Sequence, residues 1–244
     1  MKYKNEDSNH EIVINFNKDS LNLHFDQNYI HSSTFENYFE LQAQFCNKIT
    51  EVYHNYFPSN WLCSFHACAV YKNNKTYLLL GDSGAGKSTL TALMSCNGYR
   101  FIADDLVLMD ENLKIYDNPA AISLKQSSWE IVSKYYHKFK KIKISKKTKS
   151  NKKMKFLPFH TIQNNTPSSF KIDALIWVNF NKNVNTQFLS LDKKETLARL
   201  IPDTWVNPKR ESAMIFAKWA VKIKAFQLNY FDFRNVDKFI EANI

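Results

Sequence analysis

Hydrophobic and polar positions form short blocks along the first third of the chain. Residues 11–16 and 21–25 carry alternating or clustered apolar side chains on either side of a polar turn, which predicts a hairpin. Over 33–56 the apolar residues recur at spacings of three and four, which predicts one long or broken amphipathic helix. Residues 61–71 and 75–80 then predict two strands joined by a short turn.

The rest of the chain mixes strand and helix patterns, with no linker-like composition and no repeat. The block at 172–178 is continuously apolar, which is typical of a strand in the middle of a sheet. We therefore predict a single α/β domain over residues 1–244, in which residues 1–60 form a hairpin and a helix packed on the core. The same criteria predict helices at 88–97, 129–139, 192–200, 208–224 and from 235 onward, and strands at 99–109, 113–116, 121–124, 172–178 and 226–231.

A glycine-rich loop follows the strand at 75–80. The chain has only 4 glycines, and three of them lie within the nine-residue stretch GDSGAGKST. This stretch matches G-x-x-x-x-G-K-[ST], whose backbone N–H groups wrap a polyphosphate while the lysine reaches the outer phosphates and the serine binds Mg²⁺. An apolar strand before it and a helix after it complete an anion site. We therefore predict that the nucleotide contacts Gly81, Asp82, Ser83, Gly84, Ala85, Gly86, Lys87, Ser88 and Thr89.

Two adjacent acids interrupt the apolar strand predicted at 99–109. They are Asp104 and Asp105. Because neighbouring side chains of a strand point to opposite faces, only one of them would face the phosphates unless the strand frays there. Burying both without partners would cost several kcal/mol. A metal or catalytic role supplies the partner, so we predict one for this pair.

The positive charge of the chain is concentrated in one segment. The formal net charge is +10, and ten lysines without a single acid lie between Lys138 and Lys155. Such a run predicts a mobile, solvated segment over 138–158, and it would also serve as a dock for an acidic peptide, protein or nucleic acid. Arginine is scarce in the run and no aromatic residue alternates regularly with the lysines, which disfavours a nucleic-acid partner.

Other sequence features bear on location. No apolar run approaches the 18 residues of a membrane span, and the N-terminus lacks the apolar core of a secretory signal, so we expect no membrane partner and a cytoplasmic protein. The four cysteines form no C-x-x-C pair, which indicates reduced thiols rather than a zinc site or a disulfide framework.

Three segments together resemble a known family. FHACAV around His66, YLLLGDSGAGKST and NGYRFIADDLVLM resemble the catalytic core of HPr kinase/phosphorylase over residues 65–109. Residues 119–125 and 226–230 look more like the smaller HPr-kinase-related proteins, some of which sit among peptide-maturation systems. The resemblance implies a P-loop kinase of the HPr kinase/PEP-carboxykinase type, with a mixed sheet, antiparallel hairpins and flanking helices. The related kinases commonly form rings, which is compatible with a homo-oligomer.

The resemblance also implies roles for individual residues. Asp104 would be the base that takes a proton from the acceptor hydroxyl, and Asp105 would hold the metal together with Ser88. His66 would lie near the transferred phosphate, although a hydrogen-bonded core histidine is an open alternative. Lys87 would supply positive charge at that phosphate.

These features lead to one expected function and two alternatives. We expect an ATP-dependent, Mg²⁺-requiring kinase that phosphorylates the hydroxyl of a serine. The serine would belong to a peptide or protein docked on the lysine run. The first alternative is a kinase for a small molecule such as free serine. The second is a non-catalytic nucleotide-binding regulator. Further cations to consider at the phosphates are Lys125, Arg199 and Arg210.

Overall fold

The computed structural model describes residues 2–4, 10–18, 20–34, 38–54, 61–118, 120–147, 152–158 and 169–244. The helices are α1 (Tyr38–His54), α2 (Lys87–Cys96), α3 (Trp129–Tyr135), α4 (Lys193–Leu200), α5 (Arg210–Ala220) and α6 (Val236–Asn243), with short 3-10 helices at Gln126–Ser128, His137–Lys141, Ile201–Asp203 and Phe233–Asn235. Within the described ranges, each helix is too short or too polar to cross a lipid bilayer.

The strands fall into four sheets. They are β1 (Lys2–Lys4), β2 (Glu11–Phe16), β3 (Leu21–Phe25), β4 (Asn28–Ser33), β5 (Trp61–Phe65), β6 (Cys68–Lys72), β7 (Lys75–Leu80), β8 (Arg100–Ala103), β9 (Val107–Asp110), β10 (Lys114–Tyr116), β11 (Ile122–Lys125), β12 (Ser145–Lys147), β13 (Lys152–Leu157), β14 (Ser169–Lys171), β15 (Ala174–Phe180), β16 (Gln187–Ser190), β17 (Thr204–Val206) and β18 (Lys224–Tyr230).

The central sheet has six strands in the order β16-β18-β15-β7-β6-β8. Strand β15 lies in its middle and pairs in parallel with both β7 and β18, whereas the outer pairs are antiparallel. Successive residues of β15 enter different apolar clusters: Ile176 packs on one face of the sheet and Leu175 on the other. A strand buried on both faces needs apolar residues throughout, so the prediction for 172–178 is confirmed.

Two layers cover the faces of this sheet. On one face, side chains of α2, α3 and α6 join a cluster that includes Leu90, Val132 and Ile240. On the other face lies a five-stranded antiparallel sheet in the order β14-β10-β9-β5-β17, with α5 packed against β5. The ring centroids of Phe65 and Trp219 are 5.7 Å apart in this second cluster. The chain is therefore a mixed α/β structure with several sheets and flanking helices.

The N-terminal residues form a sheet of their own. The predicted hairpin is present as β2 and β3, with Phe16 opposite Leu21, and β1 and β4 extend it to four strands. Helix α1 covers this sheet through a separate apolar cluster that contains Leu23 and Leu41. That residues 1–60 pack on the core of one domain stays a prediction.

Two long strands predicted from the sequence are each divided between two sheets. The strand expected over 61–71 breaks after β5, and the strand expected over 99–109 breaks after β8. At each of these two points the chain passes from one sheet to the other: from the five-stranded to the six-stranded sheet after β5, and in the reverse direction after β8. A continuous apolar sequence does not reveal such a crossing, because both halves are buried and therefore equally apolar.

The lysine segment contains regular structure. Its described residues form the 3-10 helix at His137–Lys141 and the strands β12 and β13, and β13 pairs with β11 in a three-stranded sheet. Lys155 is 7% exposed, and its ammonium donates to the carbonyl of Phe139 at 3.0 Å. The same Nζ lies over the Trp129 ring, 5.2 Å from the ring centroid. Lys155 therefore stabilises the fold, while mobility of the segment stays a prediction.

Candidate functional site

The glycine-rich loop joins the end of β7 to the start of α2. Strand β7 ends at Leu80 and α2 begins at Lys87, with Gly86 as its N-cap. The first turn of α2 contains no acid, so no side chain of this turn opposes the positive end of the helix dipole at the loop. This confirms the predicted order of strand, loop and helix.

Gly81 fits a place where no side chain could. Its φ is +130°, and a Cβ there would lie 2.7 Å from the carbonyl oxygen of Val178 on the adjacent strand β15. Gly86 is similarly confined, because a Cβ would meet the Tyr230 hydroxyl at 3.1 Å. The loop is therefore seated directly on the carboxyl ends of β15 and β18.

We expect Gly81→Ala to destabilise the protein more than Gly84→Ala. Both glycines have positive φ, which costs an alanine about 1–3 kcal/mol. Only Gly81 adds the clash with Val178, since a Cβ at Gly84 meets nothing within 4 Å. Urea unfolding of the two variants measures the difference. Equal losses would show that the loop is free to move away from β15.

The Lys87 side chain turns back over the loop. It is 5% exposed, and its ammonium donates to the carbonyl oxygens of Gly81 and, at 3.4 Å, Asp82. These partners are neutral, so a phosphate entering the loop would give this buried charge its opposite charge. The arrangement fits the predicted role of Lys87 at an anion.

The two strand breaks bring His66 and Asp105 together. His66 follows β5, Asp105 follows β8, and His66 Nε2 lies 3.8 Å from Asp105 Oδ1. The side chains are 50% and 61% exposed, so the alternative of a core histidine is wrong. Asp105 has a φ of +65°, a conformation that costs a non-glycine residue about 1–3 kcal/mol and is concentrated at functional sites.

Asp104 is buried behind its neighbour. It is 4% exposed; Oδ1 accepts from the Cys68 thiol at 2.9 Å, and Oδ2 accepts from the Ser123 N–H at 2.9 Å. Burial, followed by the nearby charge of Asp105, raises the pKa of Asp104 to about 6, and hydrogen bonds from Cys68, Ser123 and Ser88 partly oppose that rise. The pair is therefore divided, as expected for neighbouring residues of a strand: Asp105 is open to solvent and Asp104 is enclosed.

We expect the raised pKa of Asp104 to make the protein less stable as pH rises from about 4 to about 6. In that window the folded state keeps a proton that the unfolded state has lost, so raising pH favours unfolding, by up to about 3 kcal/mol for a shift of this size. Denaturant unfolding at several pH values should show a smaller decline for Asp104→Asn, with the exposed Glu111→Gln as control. If the stability of Asp104→Asn falls with pH as steeply as that of the wild type, a group other than Asp104 causes the decline.

Most of the predicted residues line one cleft of about 350 Å³. Asp104 is buried and is not part of its lining, and Gly81 and Ala85 line a neighbouring pocket. The residues that line the cleft are His66, Asp82, Ser83, Gly84, Gly86, Lys87, Ser88, Thr89, Asp105, Ser123, Lys125, Ser127, Ser128 and Met154.

Three further cations had been predicted as candidates at the phosphates. Lys125 lines the cleft, with its ammonium 3.4 Å from the Ser83 hydroxyl. Arg199 bonds the side chain of Gln227 in a neighbouring pocket, and Arg210 is exposed at the start of α5. Of the three, only Lys125 is placed in the cleft.

The sequence prediction missed two partners of Asp104. The sequence indicates only a reduced thiol at Cys68, and at Ser123 only a position in a strand. The signal for Ser123 was its position in the segment 119–125 that carries part of the family resemblance. Cys68 gave no signal, because a buried thiol beside a carboxylate and one among apolar neighbours look alike in sequence.

Ser88 and Asp105 offer oxygen ligands of the kind that magnesium takes. Mg²⁺ is held in proteins by one or two carboxylates together with phosphate oxygens and water. Ser88 and Asp105 supply a hydroxyl and a carboxylate at the cleft, and Ser88 bonds Asp104. Over the described part of the chain, no group of three or more His, Cys, Asp or Glu side chains could hold a metal without such additional ligands.

Comparisons with known proteins add little to this geometry. No protein-family model matches the chain, and no curated protein matches its sequence. Among the solved structures that match is the Hpr(Ser) kinase/phosphatase from Coxiella burnetii, at 14% identity, covering 73% of this chain and 91% of that chain, with a TM-score of 0.34. A likeness this weak supports no inference about function, which must come from the residues themselves.

Proposed function

We propose that this protein is an ATP-dependent phosphotransferase that phosphorylates the hydroxyl of a serine on a peptide or protein. One observation carries the proposal: His66, Lys87, Ser88 and Asp105 line the same cleft at the end of a glycine-rich loop. Phosphoryl transfer needs positioning and charge neutralisation more than covalent chemistry, and this cleft offers both.

The loop would hold the polyphosphate of ATP. Its N–H groups and the start of α2 would bind the phosphates, and Lys87 would neutralise the transferred group. Ser88 and Asp105 would hold Mg²⁺, which supplies charge neutralisation at the phosphate oxygens. Lys125, whose ammonium lies 3.4 Å from the Ser83 hydroxyl, also lines the cleft and would add a second positive charge.

The choice of base lies between the two aspartates. The family resemblance favours Asp104, whose pKa of about 6 suits a group that accepts a proton near neutral pH. The geometry offers Asp105 as a second candidate, because a base must reach the hydroxyl and Asp105 is the one that faces the cleft beside His66. In the second arrangement Asp104 would orient Ser88.

The lysine segment is connected to the cleft through one sheet. Strand β11 carries Ser123 and Lys125 into the cleft, and Met154 of β13 lies opposite Lys125 and lines the same cleft. An acceptor peptide that docks on the lysine-rich strands would therefore have a short path to the phosphate. This supports an acidic peptide or protein as the acceptor.

We expect neutralising four exposed lysines of the lysine-rich segment to raise the KM for the acceptor by about fourfold or more, since each exposed ion pair is worth about 0.2–1 kcal/mol. The changes are Lys→Gln at Lys138, Lys140, Lys141 and Lys143. The matched control makes the same change at four other exposed positions, Lys193, Lys194, Lys218 and Lys222. Steady-state kinetics at low and high salt measure the effect.

The expected loss shrinks as salt rises, because salt screens exposed charges. Equal effects of the two sets would show that total charge, and not this segment, attracts the acceptor. Since Lys155 is structural, it is left intact in both sets.

The test of the function is transfer of labelled γ-phosphate from ATP into a cell extract that lacks the protein. Wild type is compared with Asp104→Asn and Asp105→Asn. One labelled peptide or protein that depends on an aspartate supports the proposal and identifies the acceptor. Label confined to small metabolites would indicate the small-molecule kinase, and tight ATP binding without any transfer would indicate the regulator.

A further inference from the structure

A second pocket, of about 480 Å³, opens beside the loop. It shares part of its wall with the cleft described above, namely Gly84, Gly86, Thr89, Ser127 and Ser128. The two spaces therefore meet over the second half of the loop. Its volume lies in the range of pockets that enclose small ligands.

The far wall of this second pocket is aromatic. Phe180, Tyr230, Phe231 and Phe233 line it. Phe180 is 43% exposed and Phe231 is 50% exposed, so both present ring surface to the pocket that the protein itself does not cover. The Phe180 ring meets Tyr230 edge-on, with ring centroids 5.5 Å apart. These rings offer flat apolar surface for a planar ligand.

The aromatic wall is tied to the loop. The Phe180 N–H donates to the carbonyl oxygen of Ala85 at 3.0 Å, and the Tyr230 hydroxyl would lie 3.1 Å from a Cβ on Gly86. A ligand held in the loop would therefore find the rings at a fixed position. Both acids on the wall are paired, Glu130 with Lys134 and Asp232 with Arg234.

The orientation of a nucleotide in the loop leads into this pocket. Lys87 reaches the outer phosphates in a loop of this type, and Lys87, His66 and Asp105 line the cleft but not the second pocket. The inner phosphate must then leave the loop at its other end, beside Thr89. In a nucleotide the inner phosphate is bonded to the sugar, which carries the base, so both extend toward the aromatic wall.

We propose that the aromatic pocket binds the base of the nucleotide by stacking on Phe231 and Phe180. The inference rests on the proposed nucleotide-dependent function and assigns a second half to its donor site. Stacking on an aromatic side chain strengthens binding by about 5- to 150-fold per base. The pocket would thus distinguish a nucleotide from a bare polyphosphate.

The experiment compares two ligands, ATP and inorganic tripolyphosphate, each with Mg²⁺, by calorimetric titration. The variants are Phe231→Ala, which removes the ring, and Phe231→Trp, which keeps a stacking surface. Phe16→Ala is the matched control, since Phe16 is also an exposed phenylalanine, at 59%, but lies on β2 outside the pocket. Thermal unfolding verifies that each variant is folded.

We expect Phe231→Ala to lose about 5- to 150-fold in affinity for ATP while its affinity for tripolyphosphate is unchanged. Phe231→Trp should retain more affinity for ATP than Phe231→Ala, because it keeps a stacking surface, and Phe16→Ala should bind both ligands like the wild type. If Phe231→Ala binds ATP as well as the wild type, or loses both ligands equally, the base site is overturned and the proposed kinase is not. If the wild type binds neither ligand, both the nucleotide-dependent function and the base site are contradicted.

Discussion

Replacing Lys87 by methionine is expected to lower phosphoryl transfer by about 10²- to 10³-fold, the usual cost of removing one preorganised charge-stabilising group. The side chain is 5% exposed, so it is one of the few cations in the described structure that a phosphate could meet largely out of water. Electrostatic stabilisation is strongest where water is excluded. Transfer from labelled ATP to the acceptor measures the effect.

Methionine is chosen because it keeps the length and apolar stem of lysine. The hydrogen bonds from Lys87 to the Gly81 and Asp82 carbonyls are lost, so thermal unfolding must accompany the assay. Lys224→Met is the control, because that lysine is exposed at the first residue of β18. Full transfer by a folded Lys87→Met protein would contradict the proposed site.

The two aspartate variants should each lower transfer by about 10²- to 10³-fold while ATP still binds, because each aspartate is proposed to act on charge or protons at the transferred phosphate. Loss of a metal ligand is compensated in part by raising Mg²⁺, whereas loss of a base is not. The assignment from the family resemblance therefore predicts rescue of Asp105→Asn alone. In the assignment from exposure, Asp105 is the base and Asp104 orients the metal ligand Ser88, so raising Mg²⁺ should rescue Asp104→Asn in part and Asp105→Asn not at all.

The measurement is transfer rate against Mg²⁺ concentration for wild type, Asp104→Asn, Asp105→Asn and the exposed control Glu111→Gln. The control should follow the wild-type curve. Near-normal rates for both aspartate variants would remove the pair from the mechanism. Rescue of both would indicate that the two carboxylates share the metal and that the base lies elsewhere, with His66 the nearest candidate.

Local patterns account for what the sequence predicted well. The loop and helix α2 follow from glycine spacing and the apolar period, and the β2–β3 hairpin follows from alternation around a polar turn. The helix predicted at 192–200 is present as α4, and it begins with a capping box in which the Glu195 N–H donates to Asp192 Oδ1 at 2.8 Å. Each of these depends on residues within a few positions of one another, so the sequence contains the whole interaction.

Interruptions of the predicted strands account for what the sequence predicted poorly. His66 and Asp105 were expected within single strands, yet each follows a strand that ends at a sheet crossing. Residues on both sides of the crossing are buried, as in Phe65, Cys68 and Ala103. Burial is the quantity that an apolar pattern reports, so the pattern continues across the break and hides it.

The sequence by itself determined the glycine-rich loop between a strand and a helix, the α/β class and the concentration of lysines, because each is a matter of residue type and short-range spacing. Only the tertiary structure decided that Asp105 faces the cleft while Asp104 lies buried against Cys68 and Ser123, 36 and 19 positions away. It also decided that Lys155 is structural and that aromatic rings stand beside the loop. Whether a side chain is buried depends on segments that are distant along the chain, and a local sequence pattern does not show which distant segments pack against it.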